Sequence, residues 1–195
     1  GTNAGDYTVY YKVIGDENYN DVVAQSISVS IAKADSTATP PTANTLTYNT
    51  SAQTLVTAGI ANGGQMQYSL DGTTWSADIP AGTNANTYTV YYKVVGDANH
   101  DDNAGGSVSV TIGKADKTAP EVAGVDETIK SKADGRITGV DDTMEYKKQG
   151  DANYIAITAD TVENLATGTY LVRYKETENY FASSDKQIVI ADGVM

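Results

Sequence analysis

From Tyr88 to Val95 the chain alternates in character. Tyr88, Val90, Tyr92 and Val94 fall on one side, and Thr89, Tyr91 and Lys93 on the other. A period of two predicts a strand with one buried face. The pattern recurs at Tyr7, Val9, Tyr11 and Val13, and again at Tyr170, Val172 and Tyr174. Arg173 stands where the other two segments carry Tyr10 and Tyr91. A position that accepts arginine reads as solvent-facing, so Tyr88, Val90 and Tyr92 are expected in the core, with Tyr91 and Lys93 outside. A second strand repeats the logic, with Val108, Val110 and Ile112 inward in one segment and Ile27, Val29 and Ile31 in another; Ile188 and Ile190 close a third. Asp71-Gly72 is a strong hairpin signal between Gln67–Ser69 and Thr73–Ser76. Shorter strands are expected near 46–48, 54–56, 129, 137–140 and 154–157. No long amphipathic helix is legible.

These similarities are a true repeat. Residues 1–35 align with 82–116 without a gap at an offset of 81, with 22 identities in 35 positions. An 81-residue period is long enough for a small domain, unlike the short unit of a solenoid. Each copy ends in Lys-Ala-Asp, at Lys33-Ala34-Asp35 and Lys114-Ala115-Asp116. A proline-containing segment follows each, which suits a boundary. The phase therefore predicts the C-terminal half of a repeat at 1–35, a complete repeat at 36–116 and a divergent third module at 117–195. The third is tied to the second by Met66-x-Tyr68 against Met144-x-Tyr146, and by Thr87–Lys93 against Thr169–Lys175. Each module is expected to be a β-sandwich of six or seven short strands. The half-repeat has two strands with an apolar face, and a lone hairpin is marginal in water. It is expected to pack on a second copy of itself or on another part of a neighbouring molecule, giving a homo-oligomer through residues 1–35. The opening in mid-repeat is expected to mark a boundary within a longer protein.

Composition narrows the function. With 13 basic and 25 acidic residues the net charge is −12, which repels phosphate backbones and argues against nucleic-acid binding. No apolar stretch approaches a membrane span, so no membrane insertion is expected. Cysteine is absent, which excludes disulfides and thiol chemistry. His100 is the single histidine and sits in a polar loop. A catalytic triad is defined by geometry, and no nucleophile–base spacing supports one. The chain is expected not to be an enzyme.

Two constellations qualify as candidate sites. Asp97, Asn99, Asp101 and Asp102 place several oxygen ligands in one loop, which makes calcium the candidate cofactor. Asp and Asn also favour turns for local reasons, and the equivalent loop from Gly15 to Asp21 keeps only part of the acidic set, so a plain turn is the stronger reading. Trp75, Tyr91 and Tyr10 are candidate ligand-binding aromatics that would stack on a sugar ring or a protein partner if exposed. The competing reading puts Trp75 in the edge of the core, as Tyr154 would be in the third module.

The segment Gly-Thr-Asn-Ala-Asn-Thr-Tyr-Thr-Val-Tyr-Tyr-Lys-Val-Val-Gly-Asp-Ala-Asn at 82–99, followed by Val-Ser-Val-Thr-Ile-Gly-Lys-Ala at 108–115, resembles the mostly bacterial immunoglobulin-like repeats found in tandem on large surface proteins. Leu46–Leu55 resembles the opening of such a unit. The likeness covers 1–116 well and 119–190 more loosely. It implies all-β, tandem immunoglobulin-like β-sandwich modules in an extracellular protein of a bacterial cell surface or cell wall. It further implies a stalk or adhesion region that meets a host protein, a cell-surface protein or a glycan. It supplies no catalytic residues.

Overall fold

The computed structural model describes residues 1–195 and is all-β without a helix, built from small sheets that are antiparallel except for the parallel pair Ala34–Asp35 and His100–Asp101. The chain divides into two compact units. The first comprises Gly1–Leu46, Ala52–Gly82 and Thr87–Thr111, and the second Thr47–Ser51, Thr83–Asn86 and Ile112–Met195. The predicted alternation governs both. In the strand Asn86–Gly96, Val90 and Val94 are fully buried, while Tyr88 and Tyr92 are half-buried and Tyr91 is exposed. The two tyrosines lie on the inward side but stop short of full burial, because their length carries the hydroxyls to the rim.

In the first unit Gly64–Ser69 pairs antiparallel with Asn86–Gly96, placing Met66 opposite Val94 and Tyr68 opposite Tyr92. The sheet continues through Asn103–Gly113 to Leu46–Thr47. Leu55, Val56, Met66, Tyr68, Val90, Val94 and Val110 are the buried apolar residues of this unit. The Tyr68 hydroxyl accepts a hydrogen bond from the Gly59 amide at 3.0 Å, which satisfies the one polar atom that the ring takes inside.

The Asp71-Gly72 pair does not make a two-residue hairpin, because pairing resumes only at Ser76, which exchanges backbone hydrogen bonds with Tyr68. The intervening loop is organised by the Asp71 carboxylate, which accepts from the Thr73 and Thr74 amides, each at 2.7 Å, while Gly72 adopts φ 74°. These bonds favour the charged form and hold the Asp71 carboxyl far below the usual range. The proline-containing segment after Asp35 is paired on both sides of its prolines. Thr37–Thr39 pairs with Ile60–Asn62 and Thr42–Ala43 with Val56–Thr57, on either side of Pro40 and buried Pro41.

In the second unit a three-stranded sheet (Ala123–Val125, Gly135–Thr138, Thr161–Leu165) accompanies a four-stranded sheet ordered Ile155–Ala156, Met144–Lys148, Gly168–Tyr174, Lys186–Ile190. One cluster holds them together, including Ile137, Met144, Val172, Ile188 and Ile190. Met144 faces Tyr174 and Tyr146 faces Val172. Relative to the first unit the partner strand has slipped by two residues. An even slip leaves every side chain on its original face, which is why the motif survives it.

The hairpin of Gly5–Tyr11 and Gln25–Ile31 forms a sheet of its own, with Val9 opposite Ile27 and Tyr7 opposite Val29.

Candidate functional site

The loop that carries the candidate metal ligands is built by its own side chains. Asp97 Oδ1 accepts from the Asn99 amide at 2.8 Å and lies 2.7 Å from His100 Nδ1. Asp102 Oδ1 accepts from the Gly96 amide at 2.7 Å and so closes the loop across its base. A side chain at Gly96 would bring its Cβ within 2.3 Å of the His100 carbonyl, so glycine is required there. The contact with His100 first, and the Asn99 amide second, hold the Asp97 carboxyl below the usual carboxylate range. The first copy repeats the construction. Asp16 Oδ1 accepts from the Asn18 amide at 2.8 Å, and Asp21 Oδ1 from the Gly15 amide at 2.8 Å.

No group of three or more acidic or histidine side chains converges in a metal-binding arrangement. Of the candidate carboxylates, Asp97 and Asp102 accept from backbone amides of the loop. Asn99 is engaged differently. Its Oδ1 accepts from the Ala4 amide at 2.8 Å, and its carbonyl accepts from the Ala34 amide at 2.9 Å. Ala34–Asp35 runs parallel to His100–Asp101, and Lys33 Nζ donates to the carbonyls of Asp97 and His100 at 3.3 and 3.2 Å. One loop of the complete repeat therefore grips two segments of the repeat before it.

The second unit contains the same grip. Asn179 Oδ1 accepts from the Ala85 amide at 2.7 Å, and its carbonyl accepts from the Ala115 amide at 3.0 Å. Ala115 and Tyr180 form a parallel bridge, and the Phe181 amide donates to the Ala115 carbonyl at 3.0 Å. Lys114 Nζ donates to the Thr177 carbonyl at 2.8 Å and pairs with Glu176 at 2.5 Å. Ala4 and Ala85, Lys33 and Lys114, and Ala34 and Ala115 are each related by the repeat offset of 81. The Asn84 side chain lies 3.4 Å from Asn179 Nδ2, as Asn3 lies 3.5 Å from Asn99 Nδ2. Tyr48 and Tyr180 meet edge to face, with ring centroids 5.2 Å apart, and Lys117 Nζ stands 3.6 Å from the Tyr174 ring centroid.

Neither the clasp nor the role of its lysine is legible in a single copy. The signal lies in the alignment. Asn18, Asn99 and Asn179 follow the strands Gly5–Tyr11, Asn86–Gly96 and Gly168–Tyr174, although the third copy lacks the Gly-Asp pair, and the Lys-Ala-Asp ends read as mere boundary marks until their partners are seen. In the third copy the Thr177 hydroxyl receives the Tyr180 amide at 3.1 Å, a local bond that keeps the turn without the aspartate.

The candidate aromatics are not gathered into one site. Trp75 is half-buried, and Lys93 Nζ stands 4.4 Å from its ring centroid, so one face of the indole is covered by a cation. Tyr91 lies against the Asp71-Gly72 turn, where a Cβ at Gly72 would come within 3.9 Å of its ring. Tyr10 is on the hairpin of the first copy and is 75% exposed. In the third module Tyr154 takes the place expected from Trp75. The Arg173 guanidinium is 3.7 Å from its centroid, its hydroxyl donates to Asp185 at 2.7 Å, and Arg173 Nε donates to Glu145 at 2.7 Å. Burial, reinforced by the Asp185 contact, pushes the Tyr154 phenol up to about 12.

No protein-family model, no curated protein and no solved structure matches this chain.

Proposed function

We propose that the chain is a non-catalytic structural region of a bacterial cell-surface protein. In this reading, tandem immunoglobulin-like β-sandwich modules act as a stalk that carries an adhesive part away from the cell. The observation that carries it is the clasp. One asparagine loop holds the Asn-Ala and Lys-Ala-Asp segments of the preceding repeat, and it does so twice with corresponding atoms. Each clasp combines backbone hydrogen bonds, a side-chain cap on an amide and a lysine on carbonyls, and each such bond adds about 0.5–1.5 kcal/mol. A joint of this kind limits bending between consecutive repeats, and a spacer needs that property.

The rival reading, a glycan- or protein-binding surface built on Trp75, Tyr91 and Tyr10, finds those rings dispersed over the two copies. Pulling single molecules of the full chain tests the proposal. Asn179→Ala and Lys114→Ala should each lower the force of the first extension event while leaving the later unfolding steps in place. Unchanged force traces in both variants, together with saturable binding of a glycan that is lost in Trp75→Ala, would replace the stalk with the binding module.

A further inference from the structure

The second unit has a cleft of about 530 Å³ lined by Tyr146 and the unbroken run from Ile155 to Asn164. Ile155–Ala156 is the outermost strand of the four-stranded sheet, and Thr161–Leu165 is the outermost strand of the three-stranded sheet. Two open sheet edges therefore border one cleft. At the first edge the Ile157 amide donates to the Met144 carbonyl at 3.1 Å, while Ile155 and Ala156 lie opposite Tyr146 and Glu145. Bonding alternates along an antiparallel ladder, so Ala156 turns its N–H and C=O away from the sheet. Ile155 beside it is 54% exposed. A free backbone edge of this kind is a template for another strand.

The charges define which strand fits. Asp160 and Glu163 are exposed in the cleft wall, and neither makes an ion pair or a hydrogen bond. No basic side chain lines the cleft. Arg136 borders a separate cleft of about 350 Å³, where Asp126, Asp134 and Glu163 outnumber it. The first unit has a cleft in the corresponding place, since Ser76 bridges Tyr68 as Ile155 pairs with Tyr146. Its carboxylates are satisfied within their own loop. Asp71 accepts from the Thr73 and Thr74 amides, and Asp78 Oδ2 accepts from Ser76 Oγ at 3.3 Å. The second unit thus presents free acceptors where the first has none to spare.

We infer that this cleft is a docking site for an extended basic segment of a partner polypeptide. The segment adds a strand to the Ile155–Ala156 edge, bonding the outward N–H and C=O of Ala156. Its lysine or arginine side chains stand against Asp160 and Glu163, and alternate apolar residues cover Ile155. The backbone supplies affinity and the two carboxylates select the charge of the partner. The clasp plays no part in this inference, so it and the stalk reading fail separately.

The test titrates the full chain with the synthetic peptide Thr-Val-Lys-Val-Lys-Val-Thr, and in a second arm with the same peptide carrying Glu in place of Lys. At saturation the lysine peptide should slow exchange of the Ala156 amide by at least about tenfold, and the glutamate peptide should not. The double variant Asp160→Asn, Glu163→Gln alters only exposed side chains without partners, so it should unfold at the parent's midpoint. It should bind the lysine peptide at least about fivefold more weakly, as should the parent chain in salt at about 0.5 M. A lysine peptide that leaves Ala156 unprotected would overturn the inference. So would equal protection by the glutamate peptide, or undiminished binding in the double variant, which would assign the attraction to the net charge of the chain. Calcium chloride that saturates Asp160 and Glu163 and excludes the peptide would overturn it as well, making the cleft a cation site.

Discussion

Val9 and Val90 occupy the same place in the same repeated strand, yet one is half exposed and the other is sealed. The pair isolates what burial contributes when sequence context is held nearly constant. Val90→Ala removes about two methyl-sized groups from a closed core and should cost about 2 kcal/mol, counting lost transfer energy and the cavity left behind. Val9→Ala should change stability by less than about 0.5 kcal/mol. Trp75 is the single tryptophan and lies in the complete repeat, so urea unfolding followed by its fluorescence reads the unit that contains Val90. A fall in midpoint for Val90→Ala, with none for Val9→Ala, is the expected result. Asp97 offers a second test at this scale. Its folded-state value is depressed, so its contribution is present above the unfolded carboxyl value near ~3.9 and is lost as the pH falls below it. Between pH ~5 and pH ~2 the Asn99 amide should lose exchange protection, and Asp97→Asn should remove that dependence on pH.

At the scale of elements, the strands with one sealed face were legible because alternation is written into them. Asn86–Gly96, Asn103–Gly113, Gly168–Tyr174 and Lys186–Ile190 all have periodic apolar positions in the sequence. The two- and three-residue strands Ala34–Asp35, Thr37–Thr39, Thr42–Ala43 and Ala81–Gly82 were not legible. They are too short to show a period, and they exist because a distant backbone offers them partners. The clasp was hidden for the same reason, since its side-chain bonds join residues 62 to 95 positions apart. Its candidate residues were noticed for their oxygens, and Asn99 and Asp97 do use those oxygens, on backbone amides. Lys114 ties two segments that are distant in sequence, through the Thr177 carbonyl and the Glu176 carboxylate. Its removal in Lys114→Ala frees the Thr177 carbonyl and the Glu176 carboxylate, and trypsin should then cut more quickly at neighbouring Lys117, by about two- to fivefold if the lost bonds are worth 0.5–1 kcal/mol.

For the whole molecule, the chain divides into two compact all-β units and carries a net charge of −12. No helix of the chain is long and apolar enough to cross a membrane. The third copy has no lysine at the place corresponding to Lys114, where Asp192 stands after the last strand, and no asparagine corresponding to Asn84. It receives a clasp through Asn179 but lacks the residues that would offer one onward. Asparagine at the loop holds the preceding repeat by capping one alanine amide, and hydrogen exchange at Ala4 and Ala85 reads that cap bond by bond. Asn99→Ala should accelerate exchange at Ala4 by about tenfold and leave Ala85 unchanged, and Asn179→Ala should do the reverse. Equal exchange at both alanines in the parent chain and both variants would mean that neither asparagine holds its alanine amide.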